Sequence, residues 1–272
     1  MSDEVRAFEV PALGVRGAVL RLDGAWRELA ARGARDADAA ATQALAEAIA
    51  CCASLDGTLG LRASLSLQVR NAAPVALLFA ECTSAGALRG VVRAGGESGK
   101  SAVLALTIED TAGLRQQARV PFEDGGVAGS LAAHFDRSER LPTRWRVEHD
   151  GRRANAVLLQ ALEAPPGDEA LQSFAALAAL PAATLHDTAT EALLPHVFPG
   201  EDVRLFEARA LHFGCSCSRE RVLAALRGID PAELEDEHTA PLEVACECCG
   251  ATYEIGRAEL VAAGDGRSRS SS

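Results

Sequence analysis

Two close pairs of cysteines near the C-terminus constrain this chain more than any other feature: Cys215-Ser216-Cys217 and Cys246-Glu247-Cys248-Cys249. They lie in a segment too small to be stable by apolar burial alone. Four thiolates about 2.3 Å from one ion in tetrahedral geometry make a structural zinc site, and such a site contributes folding free energy outright. The two-residue spacer between Cys246 and Cys249 lets both sulfurs turn toward one ion. The expected ligands are therefore Cys215, Cys217, Cys246 and Cys249, with Cys248 pointing away. Gly250 suits the tight turn after the second pair. Arg219 and Arg221 are placed to offset the two net negative charges of a zinc tetrathiolate. His212 and His238 read as surface histidines, because four better-spaced thiolates already fill the shell. With no open position and no Glu or His in an evident acid or base role, a catalytic zinc is disfavoured and no enzyme is expected.

The rest of the composition fits a water-soluble, non-membrane protein. Of 272 residues, 48% are hydrophobic and 24% charged, and no run approaches the roughly 20 apolar residues of a membrane span. The N-terminus has neither the basic start nor the apolar core of a secretory signal, so a cytoplasmic address is expected. In a reducing compartment eight cysteines act as metal ligands, redox thiols or small core residues rather than as a disulfide framework. Cys51, Cys52 and Cys82 fall on apolar helix and strand patterns and read as core. The net charge of −11 argues against nucleic acid as a partner, since a polyanion needs a concentrated cationic surface.

Along the chain, Asp36 to Leu55 carries Leu45, Ile49, Cys52 and Leu55 at helical spacing. Leu65, Leu67 and Val69 then alternate with polar residues. Further β-rich runs appear at Val75 to Phe79, Gly90 to Arg93, Val103 to Ile108 and Gln117 to Val120. A second helix is expected over Gly129 to Phe135, and strands return at Trp145 to Val147 and Ala156 to Leu162. The fold class is α+β, a core over residues 1–164 with a mainly antiparallel sheet and helices.

At Ala164-Pro165-Pro166-Gly167-Asp168 the pattern breaks. Residues 165–210 read as a metastable helical linker cut by Pro181, Pro195 and Pro199 into helices too short to persist without packing. Residues 211–264 form the zinc module. In it, Ser218 caps a helix through Leu226, Asp230-Pro231-Ala232-Glu233 starts another, and Leu242, Val244, Tyr253 and Ile255 bracket a β-hairpin. Residues 265–272 read as a disordered tail.

The segments Phe213-Gly214-Cys215-Ser216-Cys217-Ser218-Arg219-Glu220-Arg221 and Cys246-Glu247-Cys248-Cys249-Gly250 resemble the zinc module of the 33-kDa heat-shock chaperonin family. Val15-Arg16-Gly17, Arg89-Gly90-Val91-Val92-Arg93, Arg137 to Arg144 and Glu201-Asp202-Val203-Arg204 extend the resemblance over nearly the whole chain. Two departures stand out: Asn155-Ala156 where the family usually has two glycines, and Cys248 where it usually has no cysteine. The resemblance implies a redox-regulated, ATP-independent holdase of the oxidative stress response. Such a protein is inactive when reduced and zinc-bound. Oxidation of Cys215, Cys217, Cys246 and Cys249 to disulfides, with zinc release and linker unfolding, activates it. The implied partners are unfolding client proteins and, in the oxidised form, a second copy in a homodimer.

The alternative is a zinc ribbon that docks nucleic acid or protein on an enzyme-like core. It calls for a basic or aromatic surface near the metal, whereas the segment from Glu233 to Glu243 is acidic. A zinc hydrolase or deaminase would need a ligand-poor site and a general base, and the sequence offers neither.

Overall fold

The computed structural model describes residues 3–61, 63–97, 102–226, 241–256 and 259. It divides into two compact units, Met1–Gly214 and Cys215–Ser272. The start of the helix at Asp230, His238, the acids from Glu233 to Glu237 and the tail at 265–272 lie outside the described residues.

The first unit opens with β1 (Glu4–Val10) and β2 (Val15–Arg21), followed by α1 (Gly24–Gly33) and α2 (Ala39–Leu59). An antiparallel run follows, comprising β3 (Ala63–Ala72), β4 (Val75–Cys82), β5 (Ala87–Ala94), β6 (Ala102–Asp110) and β7 (Arg115–Phe122). Next come α3 (Gly126–His134), β8 (Thr143–His149), β9 (Ala154–Ala161), and the helices α4 (Asp168–Ala179), α5 (Ala182–Asp187) and α6 (Thr190–Val197). β10 (Arg204–Ala210) and β11 (His212–Phe213) close the unit. One sheet has the order β10-β1-β2-β9-β8 and the other β11-β5-β4-β3-β6-β7; among these described strands β11 pairs with β5 in parallel and the other pairs are antiparallel. The fold is α+β with mainly antiparallel sheets, as the sequence predicts.

Helix α2 packs on strands of both sheets, which explains its composition. Asp38 caps it, its carboxylate accepting from Ala41 N at 2.8 Å, and Gly60 ends it in the left-handed region at φ 59°. The Leu45, Ile49, Cys52 and Leu55 stripe is buried as expected. So are Ala46, Ala50, Cys51 and Ala53 beside it, so the helix is not simply amphipathic. Small side chains on the second face let the other sheet approach. Cys82 is buried as well.

Every residue of β9 is buried because the five-stranded sheet is covered on both faces. Its outer face carries Phe8, Val10, Val19, Val157 and Leu159, which pack against Phe174, Leu177, Leu180, Leu185, Leu193 and Leu194 of the following helices and loops. Phe8 meets Phe198 edge to face at a centroid distance of 5.7 Å.

Residues 165–210 thus sit within the first unit, and their arrangement differs from expectation in two ways. Pro195 lies inside α6 rather than ending it; the break falls at Thr188-Ala189, between α5 and α6. The segment is also not helical throughout, because β10 pairs with β1 along its length.

In the second unit, α7 (Arg219–Leu226) precedes the hairpin of β12 (Leu242–Ala245) and β13 (Thr252–Ile255).

Candidate metal centre

The first cysteine pair is held by the start of α7. Ser218 Oγ accepts from Arg221 N at 3.3 Å, the expected cap, and the Arg221 guanidinium donates to Ser216 O at 3.1 Å and to its Oγ. That bond ties down the residue between Cys215 and Cys217. The second pair occupies the turn of the β12–β13 hairpin. There Cys246 N donates to Ala251 O at 2.8 Å and Gly250 N to Cys246 O at 2.7 Å. Gly250 has φ 77°, a left-handed conformation that glycine adopts without strain.

These two devices bring Cys215, Cys217, Cys246 and Cys249 together, with all four Sγ atoms within 4.8 Å of one another. Cys215 and Cys246 sulfurs are 3.7 Å apart, those of Cys217 and Cys249 3.3 Å. Tetrahedral zinc–thiolate bonds of about 2.3 Å require sulfurs about 3.8 Å apart, so the spacing fits a small divalent ion. Cys248 is buried and outside the group.

The thiol chemistry also fits a cation. Tyr253, whose hydroxyl donates to Cys217 Sγ at 3.1 Å, is the main reason the Cys217 thiol is lowered to about 7. Burial, reinforced by the neighbouring sulfurs, pushes Cys249 up to about 12 and also raises Cys215. Cys217 thus gives up its proton readily, whereas burial holds Cys215 and Cys249 toward the thiol form. A divalent ion held by the four sulfurs would favour the thiolate form of each.

Two expectations about the surroundings need correction or extension. Arg219 pairs with Glu259 at 2.7 Å, so its charge is already committed to a carboxylate. Tyr253 was legible only as a strand residue; its role as a thiol partner depends on β13 folding back beside Cys217. That it is the one tyrosine in the chain was the sole signal. His212 is exposed on β11, in the first unit.

A two-unit α+β protein with a four-thiol module is the class that fold and site define. The profile of the family described as Hsp33 protein matches residues 3–256. The 33 kDa chaperonin of Ectopseudomonas mendocina is 34% identical over 282 residues, spanning 96% of this chain and 94% of its own. That of Azotobacter vinelandii is 35% identical, spanning 95% and 93%. The crystal structure of the 33 kDa chaperonin (heat shock protein 33 homolog) from Thermotoga maritima aligns with a TM-score of 0.79 at 20% identity, covering 97% of this chain and 98% of that one. This chain belongs to the Hsp33 protein family, and membership supports a chaperone role. Among the described residues no helix is long and apolar enough to cross a membrane.

Proposed function

We propose that this chain is a cytoplasmic, ATP-independent holdase that oxidation switches on, without enzymatic activity of its own. The observation that carries the reading is the set of four thiols within 4.8 Å of one another in a unit separate from the core. Bound zinc would hold Cys215, Cys217, Cys246 and Cys249 as thiolates and supply much of the folding free energy of a module whose described residues include few buried ones, on the order of 10 kcal/mol in small zinc peptides.

Those thiolates are also the chain's reactive sulfurs. With peroxide as oxidant, one thiolate attacks an oxygen and becomes a sulfenic acid as the O–O bond breaks, and the departing oxygen leaves as water after protonation. The partner thiol attacks that sulfur, closing a disulfide and releasing a second water. Each pair, Cys215–Cys217 and Cys246–Cys249, loses two electrons and consumes one peroxide. Both pairs then lose their ligand character together, and the module melts.

Residues 204–214 run directly into Cys215, so disorder starting there would reach β10 and then the short helices α4 to α6. Those helices hold Phe174, Leu177, Leu180, Leu193 and Leu194 against the sheet. Their release would expose both apolar surfaces, a patch of the kind that captures unfolding clients. Two oxidised copies with such surfaces would pair as a homodimer. Nucleic-acid docking is less well supported, because Glu243 and Glu254 face each other on the exposed hairpin.

The test is zinc and free-thiol titration before and after peroxide, with light scattering of a heated client in the same samples. Release of one zinc with loss of four thiols and gain of client protection is expected. Client protection that is equal in the reduced, zinc-replete protein contradicts the switch.

A further inference from the structure

His186 on α5 is 6% exposed, and its Nδ1 lies 3.0 Å from the side-chain amide nitrogen of Asn155, itself 2% exposed on β9. The Asn155 Oδ1 is already committed, accepting from Leu22 N at 3.2 Å. The amide therefore turns its NH2 toward the imidazole, and Nδ1 must be the acceptor. Only neutral His186, with its proton on Nε2, satisfies that arrangement. A protonated ring would set N–H against N–H. Turning the Asn155 amide over would relieve this contact but would leave the buried Leu22 N–H facing an NH2 group, a cost of the same kind.

We propose that the Asn155–His186 pair is a proton-sensitive clasp, which fastens α5 to the five-stranded sheet near neutral pH and loosens when His186 gains a proton. The charged surroundings are mixed. From β2, Arg21 donates to Leu185 O and, at 2.6 Å, to Thr188 O, on either side of the histidine. Arg153, preceding β9, donates to His186 O at 3.2 Å and pairs with Asp187 at 2.9 Å and Asp150 at 2.9 Å. Glu148 and His149 complete the set from β8. Burial is the largest influence on His186 and pushes it below the usual imidazole range; Asp150 opposes this and Arg153 adds to it.

The sign follows from the direction of that shift. Undocked, the ring titrates near 6.5; docked, it titrates lower. As pH falls, the undocked form takes up the proton first. Docking is therefore at full strength above about 6.5 and weakens as pH falls toward the docked value. Because α5 lies in the segment whose release is proposed to expose client-binding surface, and so resting on that reading, mild acid should ease release of that segment once the zinc module has been oxidised.

The clasp is tested on the reduced, zinc-replete full chain, with zinc content read in every sample. NMR titration of the histidine Cε1–H signals should give His186, assigned from the variants below, a midpoint below 6.5. Hydrogen exchange over Ala182–Val197, corrected for intrinsic rates, should rise several-fold more between pH 7.5 and 5.5 in the native sequence than in His186→Asn, whose Oδ1 still accepts from Asn155 but does not titrate. Asn155→Asp, which offers the imidazolium a carboxylate, should move the midpoint above 6.5 and reverse the trend. A native midpoint at or above 6.5, or equal responses in the native chain and His186→Asn, overturns the clasp. If neither variant folds, the native titration decides, with the signal assigned by through-bond experiments. An intact clasp in a protein that gains no client protection after peroxide would refute the switch and leave the clasp standing.

Discussion

Arg209 on β10 forms an ion pair with Asp56, whose side chain on α2 is wholly buried. The same carboxylate takes a long thiol contact from Cys82 at 3.6 Å, while Arg209 also donates to Ser84 O at 3.3 Å. Among the described residues the other carboxylate oxygen, Oδ1, has no partner. A single guanidinium therefore compensates a buried charge and fastens the edge strand β10 to the core.

Removing one member of such a pair strands the other. Arg209→Met should lose about 3–5 kcal/mol at pH 7 in urea unfolding. Burial raises the Asp56 carboxyl above its usual range and Arg209 restrains that rise. Without Arg209 the folded value climbs further. A raised carboxyl contributes stability that is fully present below the unfolded value near 3.9 and lost as pH rises through the folded value. The deficit of the variant should therefore shrink as pH falls from 7 toward 4.5, and an unchanged deficit would show that Asp56 does not bear the charge.

Metal content separates the five cysteines of the second unit. Cys246→Ser should fail to retain zinc, whereas Cys248→Ser should retain one per chain and give cleaner disulfides in peptide maps, since Cys248 becomes a competing neighbour once the metal leaves. Loss of zinc from Cys248→Ser would mean that the ligand set is wrong. Stripping zinc from the reduced chain with a chelator should reduce helical and strand circular dichroism by the share of α7 and the β12–β13 hairpin.

Tyr253→Phe removes a hydroxyl that donates to the sulfur of Cys217, a proposed zinc ligand, and leaves the hairpin's backbone pairing in place. Groups in that outer position are worth about 10-fold or more in metal affinity. Competition with a chromogenic chelator should show a loss of that size with stoichiometric binding preserved. An unchanged affinity would assign the hydroxyl no part in the centre.

Leu193 is fully buried between α6 and the sheet. Leu193→Ala should cost about 2–5 kcal/mol, and, because the loss falls on the segment proposed to be released, the variant should protect a client at a lower peroxide dose. A variant that is destabilised yet needs the native dose would place the release elsewhere.

What was legible in the sequence followed from local chemistry. The cysteine spacings, the cap at Ser218, the Tyr253 and Ile255 hairpin and the Leu45-to-Leu55 stripe each depend on neighbours within a few residues. β1, β2 and β10 carry no strand signal that the sequence pattern reveals. Gly17 to Leu20 is buried on both faces and so shows no alternation, while Arg204 to Ala210 is too exposed to show an apolar pattern. Pro195 has the sequence signature of a helix breaker, yet α6 runs through it with Leu193, Leu194 and Val197 packed in the core. Arg21, Asp56 and His186 are charged or polar residues buried by distant partners, which no local pattern encodes. Asn155 lies within β9, where its amide joins Leu22 to His186.

The most direct test of the switch is hydrogen exchange on the full chain, comparing the reduced, zinc-replete form with the form after peroxide and zinc chelation. Protection should be lost from Asp168 onward and kept across most of Val15 to Glu163, in the same sample that newly suppresses aggregation of a heated client. Client protection gained while residues 168–210 remain as protected as in the reduced form would contradict it.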